Sequence, residues 1–354
     1  MTRFEDFRGT YSKYISKKFV LMSVCVAVIF VGCGLELSLG QYKIGFFESW
    51  ELLIDRMTGN IYDAGEIATK QYVVWEWRVP RMAATVITGA ALGISGAAMQ
   101  CCLRNVMADP YIMGISNGAS LGVSLFVILG FGMSTFGMAG MLVTSFLFSL
   151  IPVAIVLFIS CVRKTSPVEM ILITVAISYV FGAFGMVLQY IATEEQLSEL
   201  FYWGLGTLGA AEWSNIPIML VVSAAGVLVL MAMSEVMNTL YLGDTTSSTL
   251  GVNSNRVRIL ALVTVALVTA VTVAFVGPIG FVGLIAPHAC RLLIGSDNRY
   301  LYPASMLMGA ATLLVSDCLA RSIGVTGLPV GVITSLIGGP LFLYLLIHRG
   351  VGLE

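Results

Sequence analysis

Gly277-Pro278-Ile279-Gly280-Phe281-Val282-Gly283-Leu284-Ile285-Ala286-Pro287-His288-Ala289-Cys290-Arg291-Leu292-Leu293-Ile294-Gly295-Ser296-Asp297-Asn298-Arg299 breaks a long apolar run with Gly277, Pro278 and Gly280 and then resumes it. Proline brings no backbone N–H and glycine loosens a helix. Such a break at bilayer depth persists only where protein or water satisfies the freed backbone groups. The stretch therefore reads as two membrane helices meeting at a motif.

The composition agrees. Hydrophobic residues make up 58% of the 354 residues and charged ones 11%, and the mean hydropathy is +0.92. Soluble domains carry roughly 45–50% apolar and about 25% charged residues. Several apolar runs reach the ~20 residues needed to cross a bilayer as helix, and none shows the alternation of barrel strands. An all-α integral membrane protein is predicted.

A net charge of −1, with Lys and Arg scattered between apolar runs, gives no footprint for nucleic acid. The seven cysteines (25, 33, 101, 102, 161, 290 and 318) form no CxxC pair and sit in or beside apolar runs, as small hydrophobes do. Residues 13–33 have the outline of a signal peptide, but the apolar run continues to Leu39, long enough to span.

Taken in order, residues 1–18 carry five cationic side chains among aromatic ones, which suits either a segment on the inner membrane surface or a free tail. Helix 1 is expected over 19–39. Residues 40–81 form the longest extramembrane segment, with an amphipathic stretch over 48–57. It ends in Trp75-Glu76-Trp77-Arg78-Val79-Pro80-Arg81, an aromatic-belt signature at the mouth of helix 2, 82–102. That helix is dense in Gly, Ala and Ser, which predicts a buried, closely packed position.

Further helices are expected over 112–129, from the Gly-rich turn at 130–140 to 162, 168–191, 215–234, 259–276, 281–293, 301–321 and 328–347. Asn117, a polar group among apolar ones, suits an interhelical hydrogen bond. The turn Arg163-Lys164-Thr165-Ser166-Pro167 is basic. Gly204-Leu205-Gly206-Thr207-Leu208-Gly209 spells GxGxxG, but its flanks are membrane helices and a simple turn is the better reading.

In 237–258, Asp244 is placed to cap a short helix ended by Gly251, and Asn253 to cap the next, giving two stubby helices across a membrane face. Ten crossings put both termini on one side. With the N-terminus inside, thirteen of the nineteen Lys and Arg residues fall inside, as the positive-inside rule requires. A ten-helix domain at 19–348 and a cytoplasmic tail at 349–354 complete the chain, and Arg78, Arg81 and Arg321 come to the outer face.

Asp317 and Arg321 lie one helical turn apart, close enough to pair. The three outer arginines would form an exposed cationic cluster able to steer an acidic partner. There is no HExxH and no G-x-x-x-x-G-K-[ST], and only two histidines, so neither a zinc protease nor an intrinsic ATPase is supported. His288 reads as a packing or capping residue at the inner end of helix 8.

From Trp75 to His348 the chain resembles the membrane permeases of ABC importers for iron-siderophores, heme and cobalamin, the type II importers. The resemblance rests on Arg78-Val79-Pro80-Arg81, Gly89-Ala90-Ala91-Leu92 to Gln100, Arg104-Asn105-Val106-Met107-Ala108-Asp109-Pro110 and Gly114-Ile115-Ser116-Asn117-Gly118-Ala119. It rests equally on the opening stretch, Asp317 to Arg321, and Leu328-Pro329-Val330-Gly331 to Pro340. Val106-Met107 and Ala286 depart from the family pattern without removing a charge. The extended N-terminus and the Cys101-Cys102 pair fall outside it.

The resemblance implies a homodimer of ten-helix subunits in the inner membrane, with the pathway between them. It also implies two cytoplasmic subunits that use ATP and Mg, and an extracytoplasmic binding protein; the chain itself would hold no cofactor or metal. Arg78, Arg81 and Arg321 match the residues that meet the binding protein. Gly243, Asp244, Ser247, Leu250, Gly251, Val252 and Asn253 match the coupling helices pushed by the ATPase. An ion-driven secondary transporter would want buried carboxylates along its helices, and Asp317 is the one such acid evident in the sequence. An intramembrane enzyme would need a nucleophile and base that two distant histidines do not supply.

Overall fold

The computed structural model describes residues 2–130, 133–163, 165–324 and 327–349. Met1, Lys164 of the basic turn and residues 350–354 of the expected tail lie outside them. Among the described residues the regular structure is entirely helical. The helices are α1 (Thr2–Ser38), α2 (Phe46–Thr58), α3 (Gly65–Tyr72), α4 (Val79–Cys102), α5 (Ile115–Leu129), α6 (Met133–Arg163) and α7 (Pro167–Tyr190). They continue as α8 (Glu194–Gly204), α9 (Ile216–Leu240), α10 (Asp244–Thr249), α11 (Ser254–Val276), α12 (Val282–Ile294), α13 (Asn298–Ser322) and α14 (Val330–Arg349).

Seven helical stretches are long and apolar enough to cross a membrane, and the shorter apolar helices at Ile115–Leu129, Val282–Ile294 and Val330–Tyr344 bring the described total to ten. The ten-helix expectation stands. Boundaries moved where turns were misjudged. α1 runs unbroken from Thr2, so the N-terminal segment continues the first helix.

The expected outer loop is largely helix. A π-helical turn at Val73–Arg78 joins α3 to α4, so Gly65–Cys102 is one continuous helical stretch carrying Trp75 to Arg81. Pro80 follows the π-helical turn within this continuous stretch, and the widened turn before it accommodates the backbone N–H that proline lacks.

Small residues set the centre of the bundle, as the composition of α4 predicts. Gly89 and Gly93 lie against Gly309 and Ser305 of α13, and Gly96 lies against the Gly283 carbonyl of α12. A Cβ at any of the three would strike backbone, which is why two helices can cross here at backbone contact. Asn117 donates to the Ser178 carbonyl of α7 at 3.0 Å, the interhelical bond expected of it.

Residues 277–299 hold the expected meeting of two helices, joined by a short link. α11 ends at Val276, residues 277–281 run without regular structure, and α12 begins at Val282 beside α4. At thirteen residues, α12 is about 20 Å long, short of a ~30 Å hydrocarbon core. The freed backbone groups find partners: Thr207 N–H donates to the Val276 carbonyl at 2.8 Å, and Ile279 N–H to the Tyr111 hydroxyl at 3.2 Å.

Gly206, Gly277 and Gly331 let three backbone segments meet here. A Cβ on them would strike the carbonyls of Pro278, Trp203 and Leu205 respectively. The literal GxGxxG thus contributes a packing glycine to a turn after α8. Phe281 carries a φ of +69°, unusual for a bulky residue, at the point where the chain re-enters helix.

Candidate functional site

Two clusters matter, one at each end of the bundle. Arg78, Arg81 and Arg321 come together at one end, where all three line a cavity of about 400 Å³ with Gly40, Tyr42, Trp77 and Gly209. They are not the freely exposed cluster the sequence suggests. Arg78 is buried, donating from Nη1 to the Leu37 and Ser38 carbonyls at 2.5 and 2.9 Å and from Nη2 to the Tyr42 carbonyl at 2.5 Å. Arg321 donates to the Glu36 carbonyl at 2.7 Å and to that of Leu39.

Two guanidinium groups therefore cap the C-terminus of α1. The last carbonyls of a helix lack intrahelical donors and carry the negative end of its dipole, so planar multi-donor cations suit them well. This also explains why the expected Asp317–Arg321 pair does not form. Asp317 is fully buried and accepts instead from Arg81, at 2.8 Å from Nε and 2.6 Å from Nη2.

Sequence reasoning missed Glu36. Fully buried on α1, it accepts from the Thr85 hydroxyl at 2.9 Å. An acidic residue within the last turn of an apolar run was the available signal.

At the opposite end, α10 is a single short helix. The expected second one is the first turn of α11, because Asn253 accepts from Arg256 N–H at 3.1 Å and starts a helix that runs on to Val276. Asp244 does not cap α10. The cap position is Gly243 at φ +98°, and Asp244 Oδ1 instead bridges Arg104 at 2.5 Å and Arg258 at 3.0 Å.

Arg258 is buried and also donates to the Cys102 carbonyl at 3.1 Å, fixing α10 to the ends of α4 and α11. Ser247 is buried and donates to the Thr239 and Gly243 carbonyls. Val252 N–H donates to the Ser247 carbonyl, and Gly251 at φ +79° turns the chain. Leu250 is left 60% exposed at the tip. Asp244, Gly251, Val252, Asn253 and Arg258 share a cavity of about 530 Å³.

Neighbouring loops are locked to this end. Asn238 donates to Asp297 at 2.9 Å and accepts from Asn298 N–H at 2.9 Å. Hydrogen bonds from Arg299, more than the opposing effect of burial, hold the Asp297 carboxyl down at about 2. Cys101 and Cys102 are buried here, Cys101 touching the Met237 carbonyl and Asn298, which gives the pair a packing role.

A third feature lies between them. A mostly apolar cavity of about 810 Å³ opens between α5, α7 and the start of α12, lined by Tyr111, Asn117, Ser178, Tyr179, Phe281 and Leu284, among others. Asp109 reaches its edge, buried and accepting from Tyr111 N–H at 2.8 Å, and burial pushes its carboxyl up to about 6. His288 packs edge-on against Phe342 with ring centroids 5.7 Å apart, so it is a packing residue and not a cap.

This architecture has relatives. Residues 25–348 match the model of the FecCD transport family. The cobalamin import system permease protein of Halobacterium salinarum is 39% identical over 288 residues, covering 80% of this chain and 75% of that protein. The hemin transport system permease protein of Yersinia pestis is 36% identical over 274 residues, covering 77% and 82%. An inward-facing structure of a metal-chelate type ABC transporter superposes with a TM-score of 0.80 at 28% identity, covering 92% of this chain and 98% of that one. The chain thus belongs to the FecCD transport family, as a multi-pass membrane permease of the ABC-importer type.

Proposed function

We propose that this permease translocates a metal chelate, of the iron-siderophore, heme or cobalamin kind, as a homodimer driven by ATP hydrolysis in two separate subunits. The observation that carries this reading is the difference between the two ends. One presents three arginines around a single cavity, and the other presents a short helix clamped by Asp244 with Leu250 at its tip. An acidic binding protein suits the first and an ATPase subunit suits the second. On this reading the arginine end faces outside and both termini face the cytoplasm. The named relatives carry cobalamin and hemin, and the solved neighbour is of the metal-chelate type. We assign the apolar cavity along α7 to the wall of the pathway.

Reconstitution tests this reading. Proteoliposomes holding the permease with its ATPase subunits should take up chelate only with ATP and the loaded binding protein. Leu250→Trp should leave ATPase activity in place and abolish uptake. Because Arg78 and Arg81 also hold the bundle together, Arg78→Glu with Arg81→Glu is judged by rescue. Matching Glu→Arg changes on the binding protein should restore part of the association, which a merely unfolded permease cannot show. Uptake by the permease alone that collapses with an ionophore, or ATP hydrolysis by the lone chain, would overturn the proposal.

A further inference from the structure

The helix α2 has three faces, and two are accounted for. At 100° per residue, Ser49, Leu52 and Leu53 form one sector, and all three are buried. The two leucines pack with Leu37, Ile44, Val74 and Val79. Glu48, Glu51, Asp55 and Thr58 form a second, polar sector. Within it Glu48 holds Lys70 at 2.8 Å and Asp55 accepts from the Tyr62 hydroxyl at 2.8 Å. The third sector is Phe47, Trp50, Ile54 and Met57. It is wholly apolar, yet Phe47 is 84% exposed, Ile54 56% and Met57 71%.

The position of this third face identifies what covers it. Trp50 stacks on Phe30 of α1, with ring centroids 5.3 Å apart and planes 18° apart. Phe30 lies eight residues before the end of α1 at Ser38, roughly 12 Å along the helix axis. It belongs to the exposed apolar surface of a membrane span, with Val24, Val28 and Val31. Gly34 makes the approach possible, since a Cβ there would collide with the Phe46 ring and the Trp50 indole. α2 therefore leans back along α1, and its apolar sector continues the surface that α1 turns toward lipid.

We infer that α2 is an interfacial helix, with Phe47, Trp50, Ile54 and Met57 seated at the acyl–headgroup boundary of the bilayer leaflet at the arginine end. The segment expected to lie outside the membrane is thus partly in it. Helices of this kind bury one face some 5–10 Å into that boundary. α2 holds three acids against the single Arg56, so its attachment is apolar and does not depend on anionic lipid.

Spin labels report this directly. Single cysteines at Phe47, Ile54, Met57, Glu51 and Thr58 would be introduced into the full-length permease carrying Cys161→Ser, with that parent as the background control. The proteins would be placed in phosphatidylcholine nanodiscs. Collision with oxygen should exceed collision with a soluble nickel chelate at 47, 54 and 57, and the order should reverse at 51 and 58. Adding phosphatidylglycerol should leave the pattern unchanged. Nickel-dominated collisions at all five positions would place α2 in water and overturn the inference. Low collision with both reagents at 47, 54 and 57 would show a protein partner there and overturn it equally. In Phe47→Trp, additional fluorescence quenching by brominated lipid over the parent provides a second readout free of labelling.

Discussion

Arg81 and Asp317, 236 residues apart in sequence, meet in a two-point pair of 2.8 and 2.6 Å that joins α4 to α13. Asp317 has no exposed surface, so the pair lies where an unpartnered charge is costly. Arg81→Ala or Asp317→Ala should each destabilise the purified permease by about 3–5 kcal/mol. Arg81→Met combined with Asp317→Leu should recover most of the loss. Denaturation in detergent micelles checks this, and a double variant as weak as the sum of the singles would refute it.

Capping of α1 by Arg78 and Arg321 predicts a local effect. Arg78→Ala should remove three charge-assisted hydrogen bonds, each worth about 1.5–3 kcal/mol, and speed amide exchange over residues 36–42. Arg78→Lys should restore only part of the protection, because an ammonium lacks the planar fork that reaches several carbonyls together. Full protection in Arg78→Ala would show that other donors cap the helix.

Glycine packing predicts a sharp contrast. Gly96→Ala places a methyl group on the Gly283 carbonyl, whereas a Cβ at Gly182 meets nothing within 4 Å. The first should sharply reduce folded protein recovered from membranes, and the second should leave it unchanged. Size-exclusion profiles of the two variants settle the comparison.

Asp109 predicts a pH dependence. Its folded value of about 6 lies above the usual 3.8, so the folded state binds more protons between those values. Its contribution to stability is therefore greatest below about pH 4 and is lost as pH rises through 6. The loss is at most about 3 kcal/mol. Asp109→Asn keeps the acceptor for Tyr111 N–H and removes the titration. Its melting temperature should fall less than the parent's between pH 4 and 7.

The helices were legible because their apolar runs are long and some ends carry recognisable residues, such as Asn253 before α11 and Gly277 after it, whereas Ser166, which caps α7, read only as part of a basic turn. The turn residues around 277–281 announced both the break and the short non-helical link, with helices expected to end at 276 and resume at 281 and found to end at Val276 and resume at Val282. Partners were not legible. Asp317 has Arg321 one turn away in sequence and Arg81 236 residues away. The choice depends on where α1 ends, because its carbonyls claim Arg321 first. Asp244 likewise reads as a cap, until Arg104 from the turn after α4 and Arg258 from α11 converge on it. Glu36 stood out as an acid in an apolar run, but nothing in the sequence points to its partner Thr85, 49 residues on.

The capping of α1 also orders events during synthesis. Its carbonyls at Glu36 and Leu39 wait for Arg321, which is made 285 residues after Glu36. Arg78, 41 residues after Leu37, can meet the Leu37 and Ser38 carbonyls early, but at about 5–20 residues per second those of Glu36 and Leu39 spend roughly 15–60 s without their donor. The end of α1 is thus fully capped only when α13 arrives, and a chain truncated before α13 would keep the Arg78 half of the cap and lose the Arg321 half.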